Sequence, residues 1–394
     1  MAKEEEKVVS SGPLQGIRVL DLTNVLAGPY CSYQLSLFGA EIIKVEIPNS
    51  GDLARQLGAD SQLNAELLGA SFLAQNAGKK SIELDLKDQD NRQTMVRLLE
   101  TSDVVLENFR PGVMDRLGFG WERLKEINPR IIYCAISGFG QTGPMRSRPA
   151  YDQIIQGLSG MMSVTGSGDV TPLRAGFPVC DTVGGLAAAM AISAALAGRA
   201  KSGVGHFLDI SMLEASASAM GWAVSNYLIT GETPSPMGND NATAAPSGTF
   251  STGNGLVNIA ANKQEQFETL CRLIGREELI TDPRFKERDS RKTNRDELNA
   301  EISLGLSSKE ASEWEVILSD AGVPAARVLT VPQMVELDQL AYREFFTEVP
   351  FPEHPERRLR VSGNGVMIDG MPLKASGPPP ILGEHTKEIL ESLD

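Results

Sequence analysis

Short apolar runs recur through the first half of the chain, separated by stretches whose apolar positions repeat at helical spacing. IRVLDLT (17–23), EIIKVEI (41–47), DVVLENF (103–109) and RIIYCAIS (130–137) have the length and branched residues of buried strands. SIELDL (81–86) reads as an extended segment and HFLDIS (206–211) as another apolar run, while residues 88–101, 150–164 and 212–229 carry helical periodicity. AGPY (27–30) follows the first run with Pro29 suited to the first turn of a helix. Strands alternating with helices predict a parallel sheet covered on both faces, with ligands gathering where the strands end.

The stretch RAGFPVCDTVGGLAAAMAISAALAG (174–198) breaks this rhythm, because nothing from Thr182 to Gly198 can ionise and Asp181 stands alone before it. The pattern predicts a buried helix with Asp181 in its first turn. Free amides and the positive end of the helix dipole favour negative charge there, so the expectation is a carboxyl held below the usual carboxylate range. Two uses follow from the residue alone: a cap for the helix, or an ionised nucleophile beside the Gly184–Gly185 pair. Cys180 has no histidine near it in sequence and reads as a small packing residue.

Past residue 230 the pattern fails over TGETPSPMGNDNATAAPSGTF (230–250), whose Gly, Pro, Asn and Thr mark a linker or working loop. Beyond it VNIAA (257–261) and AARVLT (325–330) read as strands, and 263–275, 292–306 and 308–321 as helices. Two more short strands and a final amphipathic helix within PPPILGEHTKEIL (378–390) are expected in the tail. The organisation expected is a flexible leader (1–15), a large domain (16–230), a linker (231–246), a small α+β domain (247–330) and a segment (331–394) returning to the large domain.

Composition narrows the chemistry. A net charge of -14 argues against nucleic acid or an anionic membrane as partner. Four isolated cysteines fit a reducing, cytoplasmic setting, and three scattered histidines make a histidine-built metal site unexpected. The N-terminal MAKEEEKVVSSG lacks the apolar core of a signal peptide, and the apolar run 182–198 is short for a membrane span. GFGQTG (138–143) matches a dinucleotide-binding spacing, but Pro144 and Pro149 delay any helix to about Ala150, so a ligand-admitting loop is the better reading.

Five blocks then carry a resemblance: GIRVLDLTNVLAGPYCSYQLSLFGAEIIKVE (16–46), KSIELDLK (80–87), DVVLENFRPGVMDRLGFGWERLKEINPRIIYCAISGFG (103–140), the Asp181 helix, and ILGEHT (381–386). In this order and spacing the chain resembles the class III coenzyme A transferases, the formyl-CoA transferase family. The resemblance implies a Rossmann-like large domain, a smaller domain inserted late, and two chains interlocked as a homodimer. It implies that Asp181 is the nucleophile that exchanges coenzyme A between an acyl-CoA thioester, such as succinyl-CoA, and a small carboxylic acid, with no tightly bound cofactor. Coenzyme A contacts carried over are Leu26, Ala27, Leu84, Asp85, Leu86, Lys87, Asn108, Phe109, Arg110 and Arg116. Ser247 and Gly248 are carried over as lining of the acyl site, with an ordinary turn as the other reading. Tyr151 and Asp152 are substrate-binding candidates, Asp152 reading first as a structural acid near a helix start. Oxyanion donors are expected near Gly184 and Gly185 or in 247–255. Ile47 and Pro149 stand where the family has an arginine and a lysine, with Arg148 beside the second. Two alternatives share the fold: an α-methylacyl-CoA racemase, which places a histidine where this chain has Tyr151, and a silent acyl-CoA-binding protein.

Overall fold

The apolar runs form six strands, β1 (Arg18–Asp21), β2 (Glu41–Glu46), β3 (Lys80–Glu83), β4 (Val104–Glu107), β5 (Ile132–Ser137) and β6 (Phe207–Ser211). All pair in parallel in the order β3-β2-β1-β4-β5-β6. The order reverses between β1 and β4, and the crevice beyond the carboxyl ends of that pair is where such sheets bind ligands. The structure, a computed structural model, describes residues 12–168 and 170–394.

Successive strand residues point to opposite faces, and both faces are covered. Leu20, Ile43, Ile82, Val105 and Tyr133 pack with Met95, Leu98 and Leu99 of α2 (Gln89–Glu100). Val19, Ile42, Val104, Ile132 and Cys134 pack with α1 (Ala27–Leu37) and with Ala188, Ile192 and Leu196 of the Asp181 helix. Before that helix comes α3 (Asp152–Leu158), so the expected 150–164 helix stops early and ends in a separate 3-10 turn at Met161–Val164. The Asp181 helix is α4 (Val179–Ser202), long and apolar enough by length and composition to cross a membrane. Its far end is pinned to the sheet. Arg199 is buried against Asp103 at 2.6 Å and donates to the Arg130 carbonyl at 3.0 Å. Contrary to the expectation of a wholly buried helix, one face is open, with Met190 71% exposed. The 212–229 helix is two, α5 (Met212–Ala219) and α6 (Trp222–Thr230), broken at Gly221, whose φ of 41° lies in the left-handed region.

The described residues up to Met161, with Arg174–Glu232 and Asp338–Asp394, pack as one unit; Met162–Leu173 and Thr233–Leu337 form a second. The second unit holds an antiparallel sheet of β7 (Ser247–Ser251), β8 (Leu256–Ala260) and β9 (Ala325–Arg327). Helices α7 (Gln264–Leu273), α8 (Arg295–Leu306) and α9 (Ala311–Asp320) bury Phe267, Ile302 and Trp314 in its own core. The expected small domain, 247–330, lies within this unit. Strand β7 falls in the stretch read as loop, its Ser, Gly and Thr hiding the alternation that Phe250 alone reveals.

The tail carries four short strands, not two. β10 (Phe346–Phe351) and β11 (His354–Ser362) form a hairpin, and Met367–Ile368 pairs with Met371–Pro372. The chain then covers the free edge of β3: His385 N–H donates to the Ser81 carbonyl at 2.9 Å and Glu83 N–H donates to Thr386 Oγ1 at 3.2 Å, before α10 (Thr386–Glu391). An open edge would otherwise template pairing with another chain. The expected leader lies outside the described residues up to position 11; residues 12–15 form a turn, with Leu14 N–H donating to the Phe38 carbonyl at 2.9 Å.

Candidate active site

Two cavities meet at the crevice between β1 and β4. One, of about 380 Å³, is lined by Asn24–Ala27, Asn108–Pro111, Ser137, Gly138, Arg146, Arg148–Tyr151, Met212 and Asp181. The other, of about 280 Å³ and mostly apolar, is lined by Leu22–Asn24, Val45–Ile47, Asp52, Leu84–Lys87, Phe109, Val113 and Leu117. Asn24 and Phe109 belong to both. The two hollows therefore share a wall built from the segments that leave β1 and β4.

Asp181 is the third residue of α4, and it is not the cap. The N-cap position is Pro178, which offers no side-chain bond, and the capping oxygen comes from Asp152 on α3. Asp152, 7% exposed, accepts from Cys180 N–H at 2.8 Å and Asp181 N–H at 3.4 Å through Oδ1, and from Gln156 Nε2 at 2.6 Å through Oδ2. The helix amides are thus neutralised by a second acid. That changes the sign of the electrostatics expected for Asp181. Burial, and then the neighbouring Asp152 charge, push its carboxyl up from 3.8 to about 7. The expectation of a depressed value fails because the dipole is already answered by Asp152 while burial penalises charge. Among the described residues, no Lys or Arg pairs with Asp181 to offset this.

The shared wall is clamped from behind. Asn24 N–H donates to Asn108 Oδ1 and Asn108 Nδ2 donates to the Asn24 carbonyl, both at 2.8 Å, tying the two strand-end segments together. Val25 sits at φ 69°, a left-handed conformation that costs a β-branched residue roughly 1–3 kcal/mol. Asp52 holds it there, accepting from Val25 N–H at 2.8 Å and Ala54 N–H at 2.9 Å. Asp52 is in turn paired with buried Lys44 at 3.0 Å. Lys44 donates to the Thr23 carbonyl at 2.7 Å. Deeper still, Lys79 meets Asp21 at 3.2 Å, and Arg55 meets Glu46 at 2.8 Å. Burial alone would raise the Asp21 carboxyl; Lys44 and Lys79 outweigh it and hold it well below the usual carboxylate range. Such pairs do little for net stability, but their geometry fixes the loop from Thr23 to Ala27.

The residues carried over from the resemblance distribute as follows. Leu26, Ala27, Asn108, Arg110, Tyr151 and Asp181 line the first cavity; Leu84, Asp85, Leu86 and Lys87 line the second; Phe109 lines both. Ile47 also lines the second, and Arg148 and Pro149 the first. Arg116, on the short helix Val113–Leu117, is not among the lining residues of either. Asp152 is not among them either, and Tyr151 beside it is 69% exposed. Ser247 and Gly248 line an open hollow inside the second unit, with Asn239–Asn241 and Gly322–Ala326. Gly184 and Gly185 are packing positions: a Cβ on Gly185 would fall 2.5 Å from the Ala27 carbonyl oxygen, and one on Gly184 3.0 Å from Met212. They lie inside the helix and cannot serve as oxyanion donors.

Sequence reading missed Asn24, Val25, Arg146 and the Lys44–Asp52 clamp. Arg146 sits in GPMRSRP beside the noted Arg148, and Asn24 directly follows the first apolar run, so both had a local signal. Lys44 had none, since a lysine within EIIKVE reads as a solvent-facing break.

The sequence profile of CoA-transferase family III matches residues 14–386. The acetyl-CoA:oxalate CoA-transferase of Acetobacter aceti is 39% identical over 93% of this chain and 90% of its own length. The succinyl-CoA:glutarate CoA-transferase of Mus musculus is 34% identical over 98% of this chain and 87% of its own. A crystal structure of a CaiB/BaiF family protein from Brucella suis superposes with a TM-score of 0.86 at 33% identity, covering 98% of this chain and all of that one.

Proposed function

Because this chain belongs to CoA-transferase family III and is a CoA-transferase, moving coenzyme A from an acyl-CoA to a small carboxylic acid, we propose that Asp181 carries the transfer covalently. An Asp181 carboxylate oxygen attacks the thioester carbonyl, the C–S bond breaks, and coenzyme A leaves as thiolate with an acyl-aspartyl anhydride in place. The thiolate then attacks the aspartyl carbonyl, releasing the donor acid and forming an aspartyl-CoA thioester. The acceptor carboxylate attacks that thioester, and the expelled thiolate takes the acceptor's acyl group, restoring Asp181. Thioester energy is conserved throughout.

The observation that carries this reading is the pairing of Asp181 with a cavity at the strand-order reversal, its carboxyl pushed up to about 7. A carboxylate of raised basicity is a stronger nucleophile, and acylation turns a buried charge into a neutral ester-like group, relieving both causes of the shift. We assign the acyl end of the substrate to this cavity and the nucleotide end to the apolar one, with Phe109 between. The first turn of α1, which no side chain caps, offers amides near Leu26 and Ala27 as oxyanion donors. Arg110, Arg146 and Arg148 form no ion pair among the described residues and line the same cavity as Asp181, which favours anionic substrates. Relatives named for oxalate and glutarate support a dicarboxylic acceptor, with succinyl-CoA as donor. No resident cofactor is needed for this chemistry.

We also propose a homodimer with interlocked chains, supported by the apolar side chains left open in the first unit: Met190, Trp222 at 79% and Ile229 at 81% exposed. Four buried free cysteines support a cytoplasmic setting. The test is to incubate the protein with succinyl-CoA alone, trap with hydroxylamine and locate the adduct by peptide mass spectrometry, then offer oxalate, glutarate and a monocarboxylate as acceptors. An adduct on Asp181 and transfer to a dicarboxylate are expected; turnover without any aspartyl adduct would refute the mechanism.

A further inference from the structure

Glu107, the last residue of β4, is a buried acid with no part in the chemistry above. It is 3% exposed and forms no ion pair among the described residues. Its two oxygens are occupied differently: Oε2 accepts from Phe109 N–H at 2.6 Å, and Oε1 accepts from the Tyr133 hydroxyl on β5 at 2.9 Å. Tyr133 is itself held by stacking on Phe207 of β6 at 5.0 Å, and Phe207 on Trp121 at 6.1 Å. The carboxyl borders a third cavity of about 370 Å³ with Asp115, Gln141, Arg146 and the three aromatic rings. It therefore grips, from behind, the backbone of the one aromatic residue that lines both substrate cavities.

We infer that Glu107 is a positioning residue for the acyl-CoA substrate: its carboxylate fixes Phe109, and losing that charge loosens thioester binding without changing the covalent step. A charge-assisted bond to an N–H is roughly twice as strong as a neutral one. The bonds from the Phe109 amide at 2.6 Å and the Tyr133 hydroxyl at 2.9 Å therefore both weaken when Glu107 loses its charge. The groups around Glu107 bear on that charge. Burial, with Asp115 from the short helix Val113–Leu117 and Asp209 from β6 adding to it, pushes the carboxyl up to about 7, against the Phe109 amide and the Tyr133 hydroxyl, which favour the ionised form. Arg146 brings the positive charge that lines the same cavity. Ionisation of Glu107 thus falls where modest changes of pH alter it.

This inference rests on the proposed coenzyme A site, and the experiment separates the two. In an Asp181→Asn background, which cannot turn over and has lost the other acid shifted to near neutrality, acetyl-CoA affinity is measured by calorimetry from pH 6 to 8.5, with and without Glu107→Gln. The phosphate ionisation of the ligand is common to both series and cancels in their ratio. The background protein should bind more tightly above pH 7 than below it, by up to about tenfold, the scale of one hydrogen bond. Glu107→Gln should hold the weaker affinity at every pH. Tyr133→Phe, which keeps the ring and its stacking, tests the same grip if the Gln variant folds poorly, and should also weaken binding. In otherwise wild-type protein, Glu107→Gln should raise KM for acyl-CoA while leaving kcat within about twofold. Failure of the Asp181→Asn protein to bind acetyl-CoA at any pH would remove the site reading itself. Binding with the same affinity and pH profile in all variants would keep the site and overturn the role of Glu107.

Discussion

Replacing Asp181 with Asn should make the protein more stable as well as inactive, and more so at high pH. In the folded chain its carboxyl lies at about 7 against 3.8 in the unfolded chain, with burial the larger cause and Asp152 the second. Between those values the native state binds more protons than the unfolded state, so the contribution of Asp181 to stability falls as pH rises through the window. Above pH 7 the whole penalty is in force, ~4 kcal/mol at 1.36 kcal/mol per pKa unit. At pH 5 only the part above 3.8 applies, ~1.6 kcal/mol. Asn has nearly the same shape and no charge, so the variant should gain up to ~4 kcal/mol at pH 8 and less than half of that at pH 5. Urea denaturation of both proteins at fixed protein concentration, with equal m-values, reads the difference directly. On the proposed mechanism, transfer activity should fall by orders of magnitude in the same sample, since Asn lacks a carboxylate oxygen anion. An equal gain at both pH values, or a loss of stability at pH 8, would refute the assignment of a buried, Asp152-opposed carboxylate. A gain of this kind is expected where an active site retains a strained group for function.

Three further outcomes follow from the same geometry. Asp152→Asn keeps an oxygen for the Cys180 and Asp181 amides but removes the opposing charge. The rise of kcat/KM with pH, tenfold per unit below about 7 in the native enzyme, should then move to lower pH, and an unmoved profile would take Asp152 out of the electrostatics. Lys44→Met leaves Asp21 and Asp52 buried beside a missing cation and should cost ~3–5 kcal/mol by urea denaturation; a cost under ~1 kcal/mol would show that the clamp is dispensable. Gly185→Ala places a methyl 2.5 Å from the Ala27 carbonyl oxygen, so a loss of ~1–3 kcal/mol and a weaker KM for acyl-CoA are expected, and wild-type values would mean α1 and α4 separate freely.

Much of this protein is legible along the chain, and what is legible is local. Branched apolar runs mark four of the six sheet strands outright, the edge strand β3 as extended backbone and β6 only as an apolar run, because strand periodicity depends only on neighbouring residues. The lone acid ahead of a run, 182–198, that holds no ionisable residue marks Asp181, and the prolines after GFGQTG keep a helix out of that loop until Asp152. The energetic sign at Asp181 was not legible. The dipole argument uses the helix alone, whereas the answer came from burial and from Asp152, 29 residues away in sequence, occupying the amides that would have favoured negative charge. The same holds for Lys44, whose partners Asp21 and Asp52 lie on other segments, and for the tail, whose ILGEHT finds its role only against the edge of β3. Local pattern decides which elements form and which side chains carry charge. Which charges lose their water, and which acid faces which, is decided when distant segments pack, because desolvation and Coulomb energy depend on distance in space and not along the chain.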